Sequence, residues 1–191
     1  MALAEIAYTR DQIRQRIEEL AEEIRSDLNG ERPVLVSILK GSVVFLADLV
    51  RALKVDADID FISISSYGGE VGASGVVRIV KDLEDPIEGR HVVLVEDIVD
   101  TGFTLSYLLR TLKTQNPASV RVCALIDKTV RRIADPQIDY AGFRSEEFLI
   151  GYGLDFQGRY RNLPHLIAVT DIAALAAQPD VLNELFQGSS G

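Results

Sequence analysis

Val92-Val93-Leu94-Val95-Glu96-Asp97-Ile98-Val99-Asp100-Thr101-Gly102-Phe103-Thr104 is the stretch that decides the fold. Its opening run, Val92 to Val95, has no polar alternation, the pattern of a strand buried on both faces. The run is expected to end abruptly at Glu96-Asp97, followed by a short loop holding Thr101, Gly102 and Thr104. Leu105, Leu108, Leu109 and Leu112 then recur at helical spacing, so a buried strand feeds a helix through a tight turn.

The same alternation extends in both directions. Ile13, Ile17, Leu20, Ile24 and Leu28 mark an amphipathic helix over 11–28, stopped by Asn29-Gly30. Val34–Leu39 is a second buried-strand run, interrupted by Lys40-Gly41-Ser42 and followed by helical spacing over Val43–Leu53. Strands are expected over 59–65, 76–80, 120–126 and 140–143, and at Phe148–Ile150 and Leu166–Val169. Between two of them, 66–75 carries four glycines in ten positions, too many for a helix or a regular strand interior. Strands alternating with helices give an α/β fold, a mainly parallel twisted sheet flanked by helices in three layers. Ligands of such sheets bind beyond the carboxyl ends of the strands. Residues 1–187 are expected to form a single domain, with 188–191 (Gly-Ser-Ser-Gly) as a disordered tail.

With 191 residues and 47 % apolar content, the chain can bury a sizeable core. A net charge of −9 argues against a sequence-independent nucleic-acid binder, but not against a small polyanionic substrate met by a few placed cations. No apolar run reaches the length of a membrane span, and the N-terminus lacks the apolar stretch of a signal peptide. Cys123 has no partner, and it reads as a buried thiol in a reducing, cytoplasmic setting. Two histidines, His91 and His165, with that single cysteine cannot build a structural zinc site. No G-x-G-x-x-G follows a strand, which excludes the usual dinucleotide fold.

The chemistry concentrates in residues 96–104. Free N–H groups at a helix start, with the Thr101 and Thr104 hydroxyls, make a cradle for a monophosphate. Gly102 permits close backbone approach. The pair Glu96-Asp97 would repel a phosphate but suits the cis hydroxyls of a ribose, directly or through Mg²⁺. The competing reading is an ordinary strand–turn–helix with capping threonines and solvated acids.

The whole segment resembles the phosphoribosyl-pyrophosphate signature of type I phosphoribosyltransferases, in the form found in hypoxanthine-guanine phosphoribosyltransferases. The likeness runs in order over residues 8–171. It implies that fold, with a small hood and a flexible loop at 66–75, where Ser66, Tyr67 and Gly68 begin a cover that excludes water from the reacting sugar. It implies Mg²⁺ as cofactor, with Glu96, Asp97 and Asp155 as metal-binding residues, and phosphoribosyl pyrophosphate and a 6-oxopurine base as substrates. Glu96, Asp97, Asp100, Thr101, Gly102, Phe103 and Thr104 would bind the phosphoribosyl group. Phe103 departs from the basic residue that some relatives carry there. Leu39, Lys40, Gly41 and Arg161 would bind pyrophosphate, and the family's loop makes Leu39–Lys40 a candidate cis peptide. Ser42 replaces a second glycine common among relatives. Lys128, Phe148, Leu149 and Asp155 would form the base-binding end, Lys128 donating to the purine carbonyl and Phe148 stacking on the ring. Taken alone, Lys128 and Arg161 read as surface cations and Phe148 as a core aromatic.

Asp100 is the candidate catalytic base for the proton that must leave the purine nitrogen; it equally suits a helix N-cap. The resemblance also implies a homodimer or homotetramer. Two rivals remain open at this point: the same fold acting on xanthine or another base, and a non-catalytic sensor of phosphoribosyl pyrophosphate that binds nucleic acid. The acidic charge and the lack of a DNA-binding helix pair count against the sensor.

Overall fold

The computed structural model describes residues 3–67, 76–130 and 132–182. Their elements run β1 (Ala4–Tyr8), α1 (Arg10–Leu28), β2 (Val34–Leu39), α2 (Val43–Leu53), β3 (Asp58–Tyr67), β4 (Val76–Lys81), β5 (His91–Val99), α3 (Phe103–Lys113), β6 (Ser119–Asp127), β7 (Tyr140–Arg144), β8 (Phe148–Ile150), β9 (Leu166–Val169) and α4 (Ile172–Ala177). Six strands form the main sheet in the order β4-β3-β2-β5-β6-β7. Neighbours from β3 through β7 pair in parallel, and β4 pairs antiparallel with β3.

Strand alternation divides the core into the expected layers. Leu35, Val93, Val95, Cys123 and Leu125 face α1 and α2, where they meet Ile13, Ile17, Leu20, Ile24, Phe45 and Leu49. Val34, Val36, Val92, Leu94, Val122 and Ala124 face the other way, against Leu105, Leu108 and Leu112 of α3. Each fully buried Leu or Ile stabilises the fold by about 1.5–3 kcal/mol relative to exposure. Helix α1 starts at a capping box in which Thr9 N–H donates to Gln12 Oε1 at 2.8 Å, and Gln12 N–H donates to Thr9 Oγ1 at 3.3 Å. It ends at Asn29, in the left-handed region at φ 49°, close to the expected stop.

Three expectations need correction, and two elements, β1 and α4, were not expected. Phe148–Ile150 and Leu166–Val169 are strands, but they lie outside the parallel sheet, in a separate three-stranded antiparallel sheet of order β1-β9-β8. Strand β1 has no fully buried side chain and gains its pairing from residues about 160 positions later (Ala4 opposite Val169), so its local pattern is weak. Strand β5 does not stop before the acids: Glu96 pairs with Ala124 and Val99 with Asp127, so both carboxylates project from within the sheet. Ser66 and Tyr67 continue β3, paired with Val77 and Val76. Gly68 and the remainder of 66–75, and the tail 188–191, lie outside the described residues. The six-residue α4 was not anticipated; the Asp171 side chain caps it, accepting from Ala174 N–H at 2.8 Å. No described helix is long and apolar enough to cross a membrane.

The two sheets are tied together at one corner. The Tyr8 ring stacks on Phe143 with centroids 4.1 Å apart, and its hydroxyl donates to Arg144 O at 3.1 Å. The carboxyl ends of β2, β5, β6 and β7 and the linker into β8 therefore converge on one rim.

Candidate active site

Adjacent parallel strands set the loops after β2, β5 and β6 side by side. Glu96 and Asp97 are neighbours on β5 with different surroundings. Glu96 is 9 % exposed, and its Oε2 is buried with no hydrogen-bond partner among the described residues. Burial, then the neighbouring Asp97 charge, holds its carboxyl well above the ordinary range. Asp97 turns toward the loop after β2: a methyl group added to Gly41 would collide with the Asp97 carboxylate. Burial pushes Asp97 up to about 6, against the opposing effects of the Ile98 N–H bond (2.9 Å) and the Arg161 charge.

Two desolvated carboxylates, one with an unanswered oxygen, fit a hard divalent cation. No three His, Cys, Asp or Glu side chains among the described residues gather as a metal site. A cation here must therefore complete its shell with water and substrate oxygens, as Mg²⁺ commonly does.

The turn after β5 opens directly into helix α3. Helix α3 has Gly102 at its N-cap, φ 80°, with no side-chain cap bond. Gly102 has no side chain to cap the helix, and Asp100, Thr101 and Thr104 flank its first N–H groups. Asp100, Thr101 and Thr104 are half-buried around the turn, and Phe103 is 48 % exposed. Gly102 is required for a reason the sequence did not disclose. A Cβ there would strike Ala134 O and lie 2.8 Å from Pro136 Cδ and 3.0 Å from Arg132 Cδ. Residues 132–136 brace the turn from behind, with Ile133 and Ala134 N–H groups each donating to Thr101 O at 3.0 Å.

Across the rim, the Leu39–Lys40 peptide is cis, Lys40 is exposed and Gly41 is buried against Asp97. Gly153, at φ 98°, lies against Gly41 O so tightly that no Cβ fits. Arg161 closes this corner: Nη1 donates to Gly153 O at 2.8 Å and Nη2 pairs with Asp155 Oδ1 at 2.6 Å. Asp155 Oδ2 accepts from Gly158 N–H at 2.8 Å. Lys40, Gly41, Arg161 and Asp155 thus assemble with Asp97. Both Asp155 oxygens already hold a protein donor, though each carboxylate oxygen has a second lone pair for a cation. Gly153 was missed from sequence, although the paired glycines of Gly151-Tyr152-Gly153 signalled a turn needing positive φ.

At the third corner, Lys128 is 5 % exposed, so the surface-lysine alternative fails. Its N–H donates to Val99 O at 3.0 Å, stitching it to the β5 turn. Glu146, not singled out from sequence, accepts from Thr129 N–H at 2.8 Å and Val130 N–H at 3.0 Å, fixing the backbone just after Lys128. Phe148 is half-buried, edge-on to Phe156 with centroids 5.9 Å apart; Leu149 is buried. Phe148 packs partly against the core of the second sheet and keeps an accessible portion. A cavity of about 560 Å³ lies between α3, Val120 and Val122 of β6 and residues 134–139, with Arg110, Lys113 and Pro136 among its lining. It borders the turn at Phe103 but holds none of the rim acids.

Comparison with known proteins agrees with this geometry. Residues 7–157 match the family model described as "Phosphoribosyl transferase domain". The chain is 45 % identical over 168 residues to a hypoxanthine-guanine phosphoribosyltransferase of Mycobacterium avium, covering 84 % of this chain and 83 % of that one. It is similar in structure to a hypoxanthine-guanine phosphoribosyltransferase of Bacillus anthracis, TM-score 0.83 at 42 % identity, covering 86 % and 98 % of the two chains. A Trypanosoma cruzi hypoxanthine phosphoribosyltransferase variant, complexed with the product IMP, aligns at TM-score 0.85 and 39 % identity over 95 % of this chain and 97 % of that one.

Proposed function

From a chain that belongs to the phosphoribosyltransferase family, among its hypoxanthine-guanine members, we infer a purine salvage enzyme that moves the 5-phosphoribosyl group from phosphoribosyl pyrophosphate to hypoxanthine or guanine, giving IMP or GMP and diphosphate. The observation that carries the reading is the meeting on one sheet rim of the Gly102 helix turn, the adjacent acids Glu96 and Asp97 and the Gly41–Arg161–Asp155 corner.

Each part has one task. Backbone N–H groups of 101–104 and the Thr101 and Thr104 hydroxyls hold the 5′-phosphate, sharing the helix-start charge. Glu96 and Asp97 face the ribose hydroxyls. Lys40 and the free donors of Arg161 meet the diphosphate, with Gly41 admitting it to the backbone. When bound, one Mg²⁺ at Glu96 and Asp97 and a second at Asp155, each completed by water and substrate oxygens, would offset the charge of the diphosphate. Lys128 donates to the purine carbonyl, which favours an oxo over an amino purine, and Phe148 stacks on the ring. Asp100 accepts the proton released as the C1′–N bond forms. The remaining rate comes from holding base and sugar in line and excluding water, the latter assigned to the segment at 66–75.

Residues 1–187 act in this reading as one cytoplasmic domain that self-associates as a homodimer or homotetramer, which sedimentation can check.

An absorbance assay with phosphoribosyl pyrophosphate, Mg²⁺ and hypoxanthine, guanine, xanthine or adenine tests the assignment. Turnover is expected on hypoxanthine or guanine; turnover on adenine alone would remove the role given to Lys128. Asp100→Asn is expected to cut kcat by about 10²–10⁴-fold with KM little changed. An unchanged rate would take Asp100 out of the mechanism.

A further inference from the structure

We infer that Arg132 is a positioning residue that joins the phosphate turn and Lys128 into one rigid unit, so that both ends of a nucleotide are gripped at a fixed separation. This role rests on the functional reading above, in which the turn at 100–104 takes the 5′-phosphate and Lys128 takes the purine carbonyl.

One side chain touches both places. Its guanidinium ion-pairs with Asp127, the last residue of β6, and donates from Nη2 to Lys128 O at 3.4 Å. Its Cδ packs behind the phosphate turn, 3.0 Å from where a Cβ on Gly102 would stand. The pair is almost dry, with Arg132 and Asp127 side chains only 10 % and 9 % exposed. The surrounding main chain follows the same logic: Lys128 N–H bonds to Val99 O, and Ile133 and Ala134 N–H groups bond to Thr101 O. Segments 99–102, 127–130 and 132–134, which face the proposed substrate, are thus cross-linked around Arg132.

The chemistry of the pair indicates position rather than stability. A buried ion pair contributes little net stability, because desolvation offsets the attraction, and apolar residues of equal volume often serve better. Here the desolvation is compounded, since Arg132 Nε is buried with no hydrogen-bond partner among the described residues. Asp135, 3.7 Å away and 93 % exposed, recovers little of that. What the arrangement provides is direction. A planar guanidinium held by Asp127 and Lys128 O cannot shift without moving the backbone of the purine-reading lysine or the wall behind Gly102.

The role separates from a merely structural one in binding. IMP needs both grips in register, whereas ribose 5-phosphate needs only the phosphate end. Calorimetric titration of folded Arg132→Met is expected to show IMP weakened about tenfold or more, while ribose 5-phosphate weakens by less than about threefold. Arg132→Lys, which keeps the charge on Asp127, is expected to recover most of the IMP loss. If Arg132→Met does not fold, Asp127→Asn is expected to show the same split. Equal weakening of both ligands, or no weakening per folded molecule, would overturn the role. Wild-type protein that binds neither ligand would instead overturn the functional reading, and the role with it.

Discussion

The two ends of the main sheet treat their carboxylates in opposite ways. At the amino end, Asp58 opens β3 and is met by two guanidinium groups, Arg32 at 2.6 Å and Arg90 at 2.5 Å; Arg32 also reaches Asp56 at 3.0 Å. The Arg90 bond and both cations hold Asp58 below the usual carboxylate range. At the carboxyl end, Glu96 and Asp97 are driven the other way by burial, and one Glu96 oxygen has no hydrogen-bond partner among the described residues. Nothing in strand geometry demands the difference. One end neutralises its acid with cations, while the other keeps a Glu96 oxygen without a hydrogen-bond partner among the described residues, the place where the proposed ligand would supply one. Stability and function are thus separated along the same strands.

Substitution at the carboxyl end should produce the larger effect, and of a distinctive kind. Asp97→Asn keeps the size and the Ile98 contact but removes charge, so kcat/KM should fall by roughly 10–100-fold, as for other residues that support a metal. Its Tm should stay level or rise, because a desolvated charge is gone. Steady-state kinetics beside calorimetry measures both; loss of activity together with a large fall in Tm would show that the acid serves the fold.

At the amino end the pattern should reverse, and with smaller size. A carboxyl whose folded pKa is depressed contributes stability above its unfolded value near 3.8, and that contribution is lost as pH falls through the folded value. Asp58→Asn should therefore leave turnover unchanged and flatten the acid limb of Tm against pH, with an effect that shrinks in salt. Thermal melts from neutral pH down to about 3 decide this; a pH-dependent loss of turnover instead would erase the distinction between the ends.

How much of this was legible depended on whether the cause was local in sequence. The β5 turn could be read because strand, acids, turn and helix follow one another within thirteen residues. Lys40, Gly41, Lys128, Asp155 and Arg161 were singled out through the family resemblance, and the fold sets their segments around one rim. The second sheet could not be read, since β1 draws its partner from the far end of the chain. Glu96 and Asp97 looked like a strand terminus because charge normally ends a buried run; only pairing with β6 shows the strand continuing. Gly102 was read as room for phosphate, yet the segment 132–136 also needs that room. Arg132 and Glu146 gave no signal at all, because their meaning lies in contacts with groups five to seventeen positions away that no periodicity records.

The central claim is that the 5′-phosphate sits on the amides of 101–104, with its ribose over Glu96 and Asp97. A crystal structure of the protein with IMP tests it most directly. The account predicts phosphate oxygens within hydrogen-bond distance of those N–H groups and the Thr101 and Thr104 hydroxyls, with the ribose hydroxyls beside the acid pair. A nucleotide bound with its phosphate anywhere else, such as in the cavity beyond Phe103, would contradict it.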